Sequence, residues 1–258
     1  MPRDGKSSLI QRIANKAKAT FKNCAPADSK AFAAQRSELS ALLSELRAAD
    51  LSISPPKRSS SSSAGPGSSA PVTYMHICET DAFSMGVFLL RRGASIPLHD
   101  HPGMNGMLKV LYGKVRIRCF DKLERPQNAS EAGGGGPSPP QSLSPSQSQM
   151  SSQQAPVWLS VLRSTGEFTE HSGPCLLTPL RENLHQIEAV EGPAAFLDIL
   201  APPYDPDEGR DCHYYRVIHA VGGEAGQNSK EETWLLEIPQ PDDFWCGGEP
   251  YPGPQVAL

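Results

Sequence analysis

The chain reads as a mainly β protein, an antiparallel sandwich or barrel preceded by α-helices. Three observations predict this. From Pro71 onward, short runs rich in Val, Ile, Leu, Tyr and Phe are separated by Gly and Pro, the texture of many short strands joined by turns. Before Pro71, apolar residues recur at helical spacing. Hydrophobic residues make up only 38% of the 258, against 25 Pro and 22 Gly, so a real core is diluted by sequence that cannot fold.

In chain order, residues 7–23 form a short basic amphipathic pattern with Leu9, Ile10, Ile13 and Phe21 apolar. A mitochondrial leader can look like this. Here Asp4 precedes it, arginines are few and a second helix follows, so a helix packed on the domain is expected. The cytoplasm is the expected compartment, with the mitochondrion as the alternative. Residues 28–50 read as that second helix, capped by Asp28 or Ser29, with Phe32, Leu39, Leu42, Leu43 and Leu46 as its apolar stripe. Residues 1–53 are therefore expected to pack as a helical segment on the barrel. Residues 54–70, rich in Ser, Pro and Gly, form a flexible linker.

Residues 71–258 make the principal domain. Strands are expected at Y-M-H-I-C, M-G-V-F-L-L, L-K-V-L-Y-G-K-V-R-I-R-C-F, V-W-L-S-V-L, C-L-L-T-P, H-Q-I-E-A-V, A-A-F-L-D-I-L, Y-Y-R-V-I and T-W-L-L-E-I. Within this run, about 126–155 is low in complexity, with G-G-G-G at 133–136 followed by Ser, Pro and Gln. Strands flank it, so it reads as a disordered insertion in one β-domain, because long surface loops cost little closure entropy.

The net charge of −4 argues against nucleic acid as a partner, and no apolar run has the length of a membrane span. Six cysteines, at 24, 78, 119, 175, 212 and 246, contain no CxxC pair. They fit reduced thiols better than a disulfide framework or a zinc ribbon.

The chemistry concentrates at Gly93 to Val115, G-A-S-I-P-L-H-D-H-P-G-M-N-G-M-L-K-V-L-Y-G-K-V. His99 and His101 stand two apart, and on a strand such residues face the same way. Two imidazoles would then reach one point in space. An H-x-H alone is also what two surface histidines near a turn look like. Gly93 precedes the pair by six residues, and Gly113 closes the hairpin that follows. A second segment, G-P-C-L-L-T-P-L-R-E-N-L-H at 173–185, ends on His185.

These two segments resemble the paired motifs of the cupin superfamily, a small jelly-roll barrel (a double-stranded β-helix) that binds a metal among inward-facing side chains. The resemblance implies His99, His101 and His185 as metal ligands. It departs from the pattern at Gly106, or Asn105 in a shorter register, where a glutamate ligand is usual, and at Arg181 in place of glycine. Three neutral imidazoles would leave a divalent ion with its full charge, which favours an anionic substrate ligand such as a thiolate. Imidazole alone does not choose between Fe, Zn, Cu and Ni.

Further segments narrow the match. P-L-H-D-H-P-G-M, V-L-Y-G-K-V, L-T-P-L-R-E-N-L-H-Q-I, F-L-D-I-L-A-P-P-Y and D-C-H-Y-Y together resemble the cysteamine dioxygenase and plant cysteine oxidase family. That resemblance covers roughly residues 71–250 and, more loosely, the N-terminal helices. It implies Fe(II), one per chain, with O₂ as co-substrate. The reaction would convert the thiol of cysteamine, or of a protein's N-terminal cysteine, to the sulfinic acid. The products would be hypotaurine or Cys-sulfinate, the latter tied to oxygen sensing through Cys-dependent degradation.

The same resemblance gives Cys212 and Tyr214 a possible thioether cross-link, where i and i+2 on a strand would share a face. A buried cysteine beside a core tyrosine is the alternative. Asp198, a carboxylate in an apolar strand, needs a partner that a substrate ammonium would supply; a structural hydrogen bond is the alternative. The A-P-P-Y turn could hold a cis proline, and Tyr204 could line the mouth. His76, His171, His213 and His219 are expected to stay outside the site, with His213 facing away. A monomer is expected. A zinc or nickel cupin isomerase or hydrolase, or a metal-free cupin binding module, would share the H-x-H.

Overall fold

The computed structural model describes residues 7–22, 29–56, 70–123, 156–221 and 232–258. The insertion at 126–155 and most of the 54–70 linker lie outside the described residues, as do Asp28 and Cys24. Helix α1 spans Leu9–Lys22, and its buried residues Ile10, Ile13, Ala14, Ala17 and Phe21 recur every three to four positions, one face of a helix. Helix α2 spans Lys30–Glu45 and buries Phe32, Leu39 and Leu43. Ser29 is its cap: the hydroxyl accepts from the Phe32 amide at 3.1 Å, worth about 1 kcal/mol.

Among the described residues twelve strands follow: β1 Val72–Glu79, β2 Ser84–Leu90, β3 Ser95–His99, β4 Asn105–Tyr112, β5 Lys114–Lys122, β6 Val157–Thr169, β7 Cys175–Leu177, β8 Leu184–Ala189, β9 Ala194–Ala201, β10 Tyr214–Val221, β11 Glu232–Ile238 and β12 Cys246–Gly248. One sheet runs β12-β1-β2-β9-β4-β7 and the other strands close on themselves as β10-β11-β6-β5-β8-β3. This is the double-stranded β-helix, with two helices at the N-terminus. Strands β5 and β6, on either side of the insertion, pair directly, with Lys122 opposite Ser160. The turn from β4 to β5 needs Gly113, whose φ is +76° and where a Cβ would stand 2.4 Å from the Pro193 carbonyl oxygen.

Strand β12 was not legible in the sequence. C-G-G offers almost no side chain to pattern, and the strand exists only because it pairs in parallel with β1, Val72 to Cys246 and Tyr74 to Gly248.

Both faces of the first sheet are covered, which explains its near-continuous apolar strands. In β9, Ala195, Leu197, Ile199 and Ala201 join a core shared with the helices. The alternate residues Ala194 and Phe196 turn to the interior between the sheets, against Ile117 and Ile187. By the same alternation Asp198 faces that interior.

Candidate metal centre

His99 is the last residue of β3 and pairs with His185 on β8; Tyr214, first in β10, pairs with His99 from the other side. The expectation that both His99 and His101 lie on one strand is corrected. His101 follows the strand, in the turn at 101–104, so pleat alternation does not aim it. Asn183 does. The His101 amide donates to Asn183 Oδ1 at 3.1 Å, and Asn183 Nδ2 donates to the His101 carbonyl at 2.8 Å. The His101 ring Nδ1 lies 2.9 Å from the Asn183 carbonyl.

The three rings converge. Their centroids are 4.7, 4.8 and 4.6 Å apart for the pairs 99–101, 99–185 and 101–185. One nitrogen from each lies within 4.8 Å of the others, and all three residues are buried. His99 Nδ1 faces the Pro97 carbonyl at 2.8 Å, as His101 Nδ1 faces that of Asn183. A carbonyl only accepts, so both Nδ1 atoms carry the proton and both Nε2 lone pairs are free.

Burial pushes all three imidazoles below their ordinary range, His101 to about 3, and the neighbouring rings add to the effect at His101 and His185. Three neutral nitrogen donors, two of them with their tautomers fixed by backbone carbonyls, suit a divalent ion. The donor set fits a metal.

The missing carboxylate has a structural reason. Gly106 on β4 faces Leu177 on β7, and a Cβ at 106 would stand 2.7 Å from Leu177 Cγ. The volume a glutamate would enter is filled by leucine.

Around the rings is a cavity of about 260 Å³. Phe88, Ile187, Phe196 and Phe244 give it an apolar wall, and Asp198, Tyr204, Cys212 and Tyr214 also line it. Cys212 lies in the loop before β10, not on the strand, which corrects the strand geometry expected for the pair. Burial nevertheless raises its thiol to about 11, opposed by the neighbouring Tyr204 and Tyr214 hydroxyls. The Tyr204 hydroxyl donates to the Asp100 carbonyl at 2.7 Å, and its ring stands 5.7 Å from that of His101. The Ala201–Pro202 bond just before it is cis.

Burial lifts Asp198 to about 7, opposed by a hydrogen bond from the Ile199 amide. Among the described residues no cation pairs with its carboxylate.

Behind the rings, the Asp100 side chain points the other way, into a buried polar cluster. Lys122 Nζ and the Tyr215 hydroxyl donate to its Oδ2 at 3.0 and 2.8 Å. The His213 amide donates to Oδ1 at 3.0 Å, and His213 Nδ1 lies 3.1 Å away. Burial alone would raise Asp100, but Lys122, Tyr215 and the His213 amide together hold it below its ordinary value. His213 thus faces away from the rings, as expected. His76 and His171 are exposed, and the side chain of His219 lies outside the described residues. The five described cysteines are free. Asn183, Asp100 and Leu177 carried no signal in the sequence, because each acts through a contact distant in the chain.

A family model described as PCO_ADO matches residues 42–256. The 2-aminoethanethiol dioxygenase of Homo sapiens is 55% identical, with 99% of each chain covered. Plant cysteine oxidase 1 of Arabidopsis thaliana is 29% identical, across 99% of this chain and 82% of its own. Among solved structures, a cupin superfamily protein from Desulfitobacterium hafniense covers 51% of this chain and 78% of its own, at 12% identity and a TM-score of 0.31.

Proposed function

The chain belongs to the PCO_ADO family, and on that premise we propose that it is an Fe(II)-dependent thiol dioxygenase. It adds both atoms of O₂ to the thiol of cysteamine, or of a protein's N-terminal cysteine, and releases the sulfinic acid. The observation that carries the reading is the convergence of three neutral imidazoles on a cavity where, among the described residues, the one carboxylate, Asp198, has no cation beside it.

His99, His101 and His185 would hold the iron, with Asn183 and the Pro97 carbonyl orienting two of the rings. When bound, the metal would supply a positive, redox-active centre that favours the thiolate form of the substrate. The remaining work belongs to the chain. Asp198 pairs with the substrate amino group, orienting the aminothiol with its sulfur toward the imidazoles. The aromatic wall excludes water. Tyr204, held by the Asp100 carbonyl, closes one side. Cys212 and Tyr214 form a thioether when the pair is oxidised, a step that removes two electrons and two protons and takes O₂ as the acceptor. Acting on protein N-terminal cysteine as a cytoplasmic monomer, the enzyme couples oxygen supply to Cys-dependent degradation.

The test is oxygen uptake by the Fe(II)-loaded protein with cysteamine, free cysteine and a peptide beginning with Cys. A mass gain of two oxygens on sulfur is expected for cysteamine and the peptide. No uptake with any of the three would overturn the assignment.

A further inference from the structure

The cavity around the histidines does not end at Asp198. A second cavity of about 410 Å³ shares Phe88, Asp198, Leu200, Tyr204 and Cys246 with it and extends outward past Tyr74 to Glu79. Among the described residues, Glu79 and Asp198 are the only ones with charged side chains lining this outer chamber.

Glu79 faces the chamber because of one irregularity. In β1, Tyr74 lies opposite Phe88 and His76 opposite Gly86, and regular alternation would next send Cys78 to that face. The register shifts between His76 and Cys78, leaving Ile77 as an extra residue, so that Cys78 meets Met85 and Glu79 meets Ser84. Phe88, Gly86 and Ser84 share one face of β2, so the bulge turns Cys78 into the core and Glu79 toward the chamber. Cys78 is buried with Met85 in the helix-side core, and Glu79 is exposed. Among the described residues Glu79 has no ion pair.

The floor and the far wall leave room for a chain. The Tyr74 ring lies over Gly86, where a Cβ would stand 2.3 Å from it, and a Cβ at Gly248 on β12 would touch nothing. Ser84 pairs with Leu200, two residues beyond Asp198. Two strand spacings and two residues of rise put the Glu79 and Asp198 Cα atoms ~12 Å apart. Consecutive Cα atoms of a peptide are ~3.8 Å apart. A lysine or arginine at the second or third position therefore reaches Glu79 while the α-ammonium sits at Asp198.

We propose that this outer chamber is a subsite for the residues that follow an N-terminal cysteine, and that Glu79 selects a basic side chain there. The inference rests on the aminothiol reading of the inner cavity and adds a specificity determinant to it.

The test uses the iron-loaded full chain with cysteamine and three peptides that differ at position two, Cys-Lys, Cys-Gln and Cys-Glu. KM for each peptide is taken relative to that for cysteamine in the same protein. The wild type should favour Cys-Lys over Cys-Glu by about two- to fivefold at low salt, with the ratio shrinking at high salt. Glu79→Gln should bring the ratio to one and Glu79→Lys should invert it, in KM and not in kcat. Equal KM values for the three peptides in the wild type, or a preference that survives Glu79→Gln, would overturn the subsite while cysteamine turnover leaves the inner site standing. No turnover of cysteamine or any peptide would overturn the reaction and the subsite with it.

Discussion

Asn183 and His101 are 82 residues apart in sequence and are joined by three hydrogen bonds, two between the Asn183 side chain and the His101 backbone, one donated in each direction, and one from the His101 ring to the Asn183 carbonyl. The asparagine does for His101 what strand pleat does for His99. Asn183→Ala keeps the carbonyl but frees the loop that carries it. Metal affinity should fall about 10- to 100-fold, and the fold should lose about 1–3 kcal/mol from buried donors and acceptors left unpaired. Metal titration and thermal unfolding of the metal-free protein check the two effects separately.

Gly106 and Leu177 make a converse case. Gly106→Glu should not create a carboxylate ligand, because its Cβ would already collide with Leu177. Overpacking by even Gly106→Ala should cost about 1–3 kcal/mol. Adding Leu177→Ala should return part of that loss, a coupling that a double-mutant cycle in urea measures.

Asp198 predicts a pH dependence. Its folded value of about 7 lies above the ordinary carboxylate value, so between pH ~4 and ~7 the folded state keeps a proton that the unfolded chain has lost. That contribution to stability is complete below pH ~4 and is lost as pH rises through about 7. Asp198→Asn cannot ionise. The metal-free variant should therefore gain on the metal-free wild type as pH increases, and the gap should close toward pH 4. Parallel unfolding curves at every pH would contradict the isolation of this carboxylate.

Lys122 sits 3.0 Å from the Asp100 carboxylate, whose side chain is 4% exposed, and 4.7 Å from the Trp158 ring centroid. Lys122→Met should cost about 1–3 kcal/mol, less than a fully buried pair would, because Lys122 is itself partly solvated and Tyr215 and His213 still serve Asp100. Metal affinity should also fall, since Asp100 stands between His99 and His101 in the chain and anchors the turn that carries them. Calorimetric unfolding and metal titration measure both. An unchanged Tm would show that the cluster does not hold the turn.

Much was legible from residue types and spacing. Leu39 and Leu43 recur as a helix requires. M-G-V-F-L-L and A-A-F-L-D-I-L are β-prone runs, and three histidines stand in two glycine-marked segments. These are local properties, written in side-chain volume, branching and polarity. The chain by itself therefore determined its helices and most of its strands and set two histidines close together; that His185 joins them was implied by the family resemblance and not by spacing. What only the tertiary structure decided depends on contacts across the chain. Asn183, not strand alternation, aims His101. Leu177 fills the place of a carboxylate, and β12 exists only as a partner of β1. A single bulged residue, Ile77, decides whether Cys78 or Glu79 looks into the chamber. Side-chain direction reverses with every residue along a strand, so one inserted residue exchanges core for cavity, and only the pairing of β1 with β2 shows where it falls.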